Sequence, residues 1–198
     1  MAEKSAPAKE RIFNAAVDCL EEFGLDKLTI RLIARKAGVN SASINYYYGS
    51  KDALVDIVMK KTLEEMTKMP AELFEAASGP LSARLEAFFV GLLDGMFHWR
   101  NVTRAHLYAP IMEGRYDTEF FTGFNIFLNA LLEQSLKADP GVDVQALRLT
   151  LIEIFSAALL PGLLPKAFVG FSDLDFDDPA ARRAYVKDVI ARFFPRGR

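Results

Sequence analysis

The stretch NSASINYYYGSKDAL, residues 40–54, places three consecutive tyrosines between small polar residues and a Gly-Ser-Lys sequence. Asn40 or Ser41 can cap a short helix over residues 42–48, because their side chains accept hydrogen bonds from the free amide groups of a first turn. Gly49 can end that helix, since glycine adopts backbone conformations that other residues avoid. The stretch therefore predicts a short, well-delimited helix.

A second short helix is predicted immediately before this stretch. Thr29 is a suitable N-cap for a helix over residues 30–37, and Gly38 can close it. Helices this short are not stable alone in water, so both must pack against their neighbours. Two short helices joined through a glycine are typical of a helix-turn-helix, whose second helix is presented outward.

The second short helix has two chemically different faces. Ile44 and Tyr48 lie one turn apart and can face inward together, which leaves Ala42, Asn45 and Tyr46 on the opposite face. An asparagine amide can bond adenine at two positions, and a tyrosine ring can contact the methyl group of thymine. This outward face predicts entry into the major groove of duplex DNA.

Charge is distributed unevenly along the chain. The formal net charge is −2, which argues against a globally basic surface. The segment from residue 27 to residue 51 nevertheless contains no Asp or Glu and carries five basic residues, namely Lys27, Arg31, Arg35, Lys36 and Lys51. A local basic surface on an acidic protein indicates a polyanionic partner.

Two predicted helix starts carry a basic side chain. Lys51 occupies the first position of a helix capped by Ser50, where the helix dipole disfavours a cation unless an anion is bound alongside. Thr29 and Arg31 form the same arrangement at the start of the helix over residues 30–37. The hydroxyl group of Tyr47 can reach a phosphate from the flank. These groups predict contacts to the DNA backbone on both sides of the reading helix.

The rest of the chain is predicted to be helical, because apolar residues recur at offsets of three and four and no strand-like alternation occurs. The expected helices cover residues 8–23, 51–68, 80–99, 102–113, 118–137 and 144–160, with a last one opening at Pro179. The fold class is therefore all-α. Residues 1–50 are predicted to form a DNA-binding domain, and residues 51–198 a larger helical domain joined to it through the helix over residues 51–68.

A further pattern extends over residues 8–58. It consists of Phe23-Gly24, Thr29, Ile33-Ala34, Ala37-Gly38-Val39-Asn40 and the run from Ile44 to Leu54. This pattern resembles the DNA-binding domain of TetR-type transcriptional regulators. The resemblance implies a homodimer whose N-terminal units bind a palindromic double-stranded DNA operator. It also implies a C-terminal domain that binds a small-molecule inducer and dimerises through its last two long helices.

The resemblance also assigns roles to individual residues. Thr29, Tyr47 and Lys51 would contact phosphates, and the residues that would approach bases are Arg31, Ser41, Ala42, Asn45 and Tyr46. The family commonly has Leu-Tyr-Tyr-His-Phe where this chain has Ile-Asn-Tyr-Tyr-Tyr, so Asn45 replaces a tyrosine and Tyr47 a histidine. Leu32 stands where an acidic residue is frequent. These departures alter the expected operator preference more than the expected fold.

The C-terminal domain is rich in aromatic residues, with few polar groups among them. Its chemistry predicts a pocket for an apolar or aromatic effector, lined by Phe89, Met96, Trp99, Phe124 and Phe127. His106 or Tyr108 would supply a polar contact. Aromatic residues at helical spacing are more often plain core than ligand-binding residues, so both interpretations of this set remain open.

Residues 144–160 are apolar on nearly every side, which a helix tolerates when it is buried on several sides. Together with the last helix, they predict a four-helix homodimer interface. The residues expected to be buried by the partner are Phe155, Leu159, Val189 and Phe193.

Other classes of protein fit the sequence less well. Cys19 has no cysteine partner and the first ten residues lack an apolar signal core, which favours the cytoplasm. Charged residues and prolines interrupt the longest apolar stretch, residues 149–171, which predicts no membrane span. No metal-binding or catalytic motif occurs, so neither an enzyme nor a cofactor is expected. A helical adaptor that binds protein rather than DNA remains an alternative.

Overall fold

The computed structural model describes residues 7–194. Within these residues the chain contains no strand and forms nine α-helices, which confirms the all-α prediction. They are α1 (Ala8–Phe23), α2 (Ile30–Ala37), α3 (Ser41–Tyr48), α4 (Lys51–Ala76), α5 (Leu81–His98), α6 (Arg100–Glu113), α7 (Glu119–Ala138), α8 (Val144–Leu163) and α9 (Pro179–Phe193). A short 3-10 turn, Leu25–Lys27, follows α1.

The chain divides into two compact units. The described part of the first unit covers residues 7–64 and 99–120, so that α6 belongs to the same unit as α1, α2 and α3. Helix α1 packs against α2, α3 and α6. The centre of this unit is apolar, and its fully buried side chains include Ile12, Leu20, Ile33, Ile44 and Leu54.

The second unit covers residues 65–98 and, in its described part, residues 121–194. Helix α5 is its central element, because it packs against both α8 and α9. Phe88 and Phe89 of α5 are fully buried and meet edge to face with their ring centroids 4.9 Å apart. Arg182 of α9 is also buried, and its Nε donates a hydrogen bond of 2.6 Å to the carboxylate of Asp94.

Helix α4 is longer than the sequence predicts. It continues through Pro70 to Ala76, whereas the proline predicts an end near residue 68. A proline inside a helix removes one backbone hydrogen bond and is tolerated only where packing compensates. Pro70 and Phe74 are both buried within the second unit, and this burial stabilises the additional helical turns.

Within the single described chain, helix α8 is buried along one side. Its buried residues Leu147, Leu151 and Ile154 lie on one face, at offsets of four and three. A second apolar face is left exposed, formed by Leu149, Ile152, Leu159 and Leu160. By length and composition alone α8 could cross a membrane, with 33% of its most apolar segment buried. One helix of this kind is weak evidence for a membrane span, because core and interface helices have the same composition.

Candidate nucleic-acid interface

The two short helices of the first unit begin and end as their sequences predict. Thr29 caps α2, since its Oγ1 accepts a hydrogen bond of 3.2 Å from the backbone amide of Leu32. Asn40, rather than Ser41, is the N-cap of α3, and its Oδ1 accepts from the backbone amide of Ser43 at 2.9 Å. Between the helices Gly38 takes the left-handed conformation, with φ 65° and ψ 41°. Each of these caps binds a backbone amide that has no partner within its own helix. This lowers the free-energy cost of forming so short a helix.

The inner face of α3 holds the helix against α1. Ile44 is completely buried. The hydroxyl group of Tyr48 donates a hydrogen bond of 2.8 Å to the backbone oxygen of Lys9, whose ammonium group lies 5.8 Å from the centre of the tyrosine ring. Burial raises the pKa of the Tyr48 phenol, which keeps it protonated as a donor. Tyr48 is therefore a packing residue.

The outer face of α3 is open to solvent. Ser41, Ala42 and Asn45 are exposed, and 83% of the surface of Tyr46 is accessible. The ring of Tyr47 lies edge to face with that of Tyr46, with the centroids 5.0 Å apart. The aromatic and amide groups predicted to read DNA thus lie together on a face that the rest of the described chain leaves uncovered.

The start of α4 lies directly after this face. Gly49 joins the two helices with φ 81° and ψ −52°, and Ser50 Oγ accepts a hydrogen bond of 3.0 Å from the backbone amide of Ala53. Lys51 Nζ is 3.8 Å from the carboxylate of Asp52. A surface ion pair at this distance contributes little, so the ammonium group remains available to an anion.

One of the five basic residues in the acid-free segment is bound within the protein. Lys36 Nζ donates to the carboxylate of Glu22 at 2.9 Å and lies 3.8 Å from that of Asp18. The hydrogen bond to Glu22 raises the pKa of Lys36. Lys36 thus fastens α2 to α1, a role that no local spacing in the sequence indicates. Arg31 and Arg35 are exposed on α2.

The residues predicted to bind an effector are distributed over both units. Trp99, His106 and Tyr108 belong to the first unit, where His106 is buried and Tyr108 is exposed. In the second unit Met96 is buried in the core, and three phenylalanines pack around the ring of Phe155 with centroid distances of 4.8, 5.5 and 6.3 Å, namely Phe89, Phe124 and Phe127. Whether these residues bind a ligand stays a prediction.

The residues predicted to form a dimer interface have unequal exposure. The ring of Phe155 packs in the aromatic cluster of its own chain, and Val189 is 8% exposed. Phe193 is half-buried, and Leu159 is 43% exposed on the uncovered face of α8. Leu159 is therefore the member of this set that is most accessible to a partner. The interface itself stays a prediction.

No cluster of three or more potential metal-binding side chains occurs among residues 7–194.

The amino-terminal segment matches the family model described as bacterial regulatory proteins, tetR family, over residues 12–58. This match contains α2, α3 and the first turns of α4, which are the elements that build the exposed face. The region identified from its sequence pattern and the region matched by the family model therefore coincide.

Two relatives extend the comparison. The HTH-type transcriptional regulator BetI of Burkholderia thailandensis is 24% identical over 166 residues, which cover 84% of this chain and 76% of the relative. BetI 2 of Chromohalobacter salexigens is 30% identical over 115 residues, or 58% of this chain and 45% of the relative. The chain thus spans less than half the length of the second relative.

A solved structure shares the fold along almost the whole chain. It is that of a TetR-like transcriptional regulator from Rhodococcus sp. RHA1, with a TM-score of 0.66 and 17% identity. The superposition covers 96% of this chain and 97% of the other. At this identity the likeness establishes the fold: an N-terminal helix-turn-helix followed by a helical C-terminal region.

Proposed function

Because this chain is a member of the TetR family of transcriptional regulators, we propose that it is a cytoplasmic repressor that binds a palindromic operator as a homodimer. An apolar or aromatic small molecule releases it from the DNA. The observation that carries the proposal is the exposed face of α3, on which Asn45 and Tyr46 lie beside a helix start bearing Lys51. No catalytic role is proposed.

Base reading is assigned to the outward residues of α3. A recognition helix enters the major groove and contacts base edges with side chains near its N-terminus. Ser41 and Ala42 are small and exposed at that end, so they allow close approach to the bases. Asn45 and Tyr46 follow one turn later with groups that can distinguish adenine and thymine. Arg31 at the exposed start of α2 reaches the same groove.

Backbone contacts are assigned to the two helix starts that flank α3. The hydroxyl group of Thr29 and the ammonium group of Lys51 lie next to amide groups at the N-termini of α2 and α4, where helix dipoles favour phosphate. The Tyr47 hydroxyl joins them from the side of α3. Such contacts fix the register of the protein on the duplex, and they make affinity salt-dependent.

Homodimerisation is assigned to the exposed face of α8. Leu149, Ile152, Leu159 and Leu160 form an apolar row on the helix surface. Ser156 lies in this row, and its hydroxyl group already donates to the backbone oxygen of Ile152 at 2.8 Å. The row can therefore be buried against a second copy without leaving a hydroxyl group unsatisfied.

The effector-binding site is assigned to the aromatic cluster of the second unit. Phe124 and Phe127 are half-buried and lie against the ring of Phe155. Apolar pockets with few polar groups select apolar and aromatic ligands. Thermal unfolding with a panel of such compounds tests the assignment: a true effector raises the melting temperature and weakens operator binding, whereas a panel that changes neither contradicts it.

Selection from a random pool of duplex DNA tests the proposal as a whole. The full chain is expected to enrich an inverted repeat whose half-sites are about one helical turn or somewhat more apart. Binding to the enriched duplex should weaken steeply as salt is added. A pool that yields no enriched sequence, with no salt-dependent affinity, would contradict DNA reading and favour a protein-binding adaptor.

A further inference from the structure

The C-terminal end of α1 and the N-terminal start of α6 satisfy each other's backbone groups. Glu21 Oε2 accepts hydrogen bonds from the backbone amides of Asn101 and Val102, at 3.0 and 3.1 Å. In return Asn101 Nδ2 donates a hydrogen bond of 2.7 Å to the backbone oxygen of Glu21. These two residues are 80 positions apart in the chain, and both belong to the first compact unit.

This reciprocal contact supplies the side-chain cap that α6 lacks locally. The N-cap residue of α6 is Trp99, whose side chain makes no capping hydrogen bond. A carboxylate bound to free amides at a helix start is favoured by both charge-assisted hydrogen bonding and the helix dipole. Val102 is 1% exposed, so water is a poor replacement for the carboxylate. Arg104 donates to Asn101 Oδ1 at 3.3 Å, which fixes the orientation of the asparagine amide.

Helix α1 connects this cap to the reading helix. Glu22 follows Glu21 and binds Lys36 of α2 at 2.9 Å. Near the other end of α1, the backbone oxygen of Lys9 accepts the hydrogen bond from Tyr48 of α3. Consecutive residues of α1 thus bind α6 and α2, while its first turn binds α3. A shift of α1 relative to α6 would therefore change the position of α3, which packs against α1, and with it the direction of the outward face of α3.

We propose that Glu21 and Asn101 are positioning residues for DNA reading. By joining α1 and α6 into one body they fix the direction of the Asn45 and Tyr46 side chains, although neither residue belongs to the exposed face. The proposal rests on the proposed function, since it concerns how well the same face of α3 reads an operator.

Operator affinity of the full chain tests the proposal, with Glu21→Ala as the main variant and Glu10→Ala as its control. Glu10 is an exposed residue of the same helix, so both variants lose one negative charge. That loss alone would tighten DNA binding slightly in both. Glu21→Ala is expected to weaken operator binding about fivefold or more, a typical coupling effect between distant groups. Glu10→Ala is expected to match the wild type or bind slightly more tightly.

Two further readouts separate positioning from general stability. Affinity is measured at a temperature at which circular dichroism shows every variant fully folded. The dependence of affinity on salt should be the same in Glu21→Ala as in the wild type, because no phosphate contact is removed. Glu21→Gln, which retains an acceptor oxygen, should restore part of the affinity. Amide hydrogen exchange at Val102 should accelerate in Glu21→Ala and stay unchanged in Glu10→Ala.

A double-mutant cycle with Asn101→Ala completes the test. If the two residues act as one cap, combining Asn101→Ala with Glu21→Ala should weaken operator binding little more than either change alone. Equal affinity of Glu21→Ala and Glu10→Ala for an operator that the wild type binds would overturn the positioning role alone. Failure of the wild type to bind any duplex would overturn the proposed function and this inference together.

Discussion

Tyr46, Tyr47 and Tyr48 are consecutive residues, and their environments differ because each helical residue is rotated by about 100° from the last. Tyr48 packs against α1, Tyr47 lies on the flank, and Tyr46 is 83% exposed. An aromatic side chain that is exposed to this extent, beside an exposed amide, makes little contribution to folding. The proposed contact with a DNA base would account for its position.

Lys51 permits a prediction about electrostatics. Lys51→Gln is expected to weaken binding to specific and unrelated duplexes by a similar factor, because a phosphate contact carries no sequence information. The slope of log affinity against log salt should decrease by about one, as expected for one lost phosphate contact. Filter binding or fluorescence anisotropy at several salt concentrations measures this slope. An unchanged slope would remove Lys51 from the interface.

His106 permits a prediction about acid stability. Burial lowers the pKa of its imidazole from 6.5 to about 4. Its Nε2 is 3.0 Å from the Thr62 hydroxyl oxygen, and its ring lies against Phe120. Since the folded form holds the neutral ring, only the unfolded form takes up a proton as the pH falls below 6.5. The contribution of this group to stability is therefore full above that pH and is lost on acidification toward pH 4.

The size of this acid effect follows from the two pKa values. The free energy of unfolding should fall by up to about 3 kcal/mol between neutral pH and pH 4 because of His106. Urea unfolding at several pH values in this range measures the effect. The free energy of unfolding should decrease less with falling pH in His106→Gln than in the wild type. Equal pH dependence of His106→Gln and the wild type would contradict a buried neutral imidazole.

Among the helices, the connection between α3 and α4 depends on the backbone of one glycine. At Gly49 the φ of 81° with a ψ of −52° is a conformation that other residues rarely adopt, and a side-chain carbon added there would meet no atom within 4 Å. Gly49→Ala is therefore expected to destabilise the protein by about 1–3 kcal/mol through backbone strain alone. Gly170→Ala, at a site with no positive φ and equally open space, should have little effect on the urea midpoint. Similar midpoints for both variants would show that the strain is absent.

Local signals in the sequence suffice to predict α1, α2, α3 and the exposed face of α3. For α2 and α3 a capping side chain, inward apolar residues and a closing glycine are all contained within a short segment, and α1 has an apolar stripe that ends at Gly24. The continuation of α4 through Pro70 could not be predicted, because it depends on burial of Pro70 and Phe74 in the tertiary structure. The same is true of Lys36, whose partner Glu22 is 14 residues away. Long-range partners of this kind have no periodic signature in a single sequence.

In the whole molecule, the exposed row of α8 is the proposed homodimer interface. Ile152 is 57% exposed in the row, so Ile152→Glu would place a charge in the proposed interface, where an unpaired charge is strongly unfavourable. Sedimentation at micromolar concentration is expected to show a dimer for the wild type and a monomer for this variant. Ile111→Glu, which changes an exposed isoleucine of α6, should remain dimeric. A monomeric wild type would contradict the assignment.

The most direct test of the account is the affinity of Asn45→Ala/Tyr46→Ala for the duplex that the wild type selects. Both side chains are exposed, so the variant should unfold at the wild-type temperature. Loss of the base contacts is expected to cost about 1–3 kcal/mol for each contact, while affinity for unrelated duplexes and its salt dependence change little. Undiminished affinity for the selected duplex would contradict the claim that this face of α3 reads DNA.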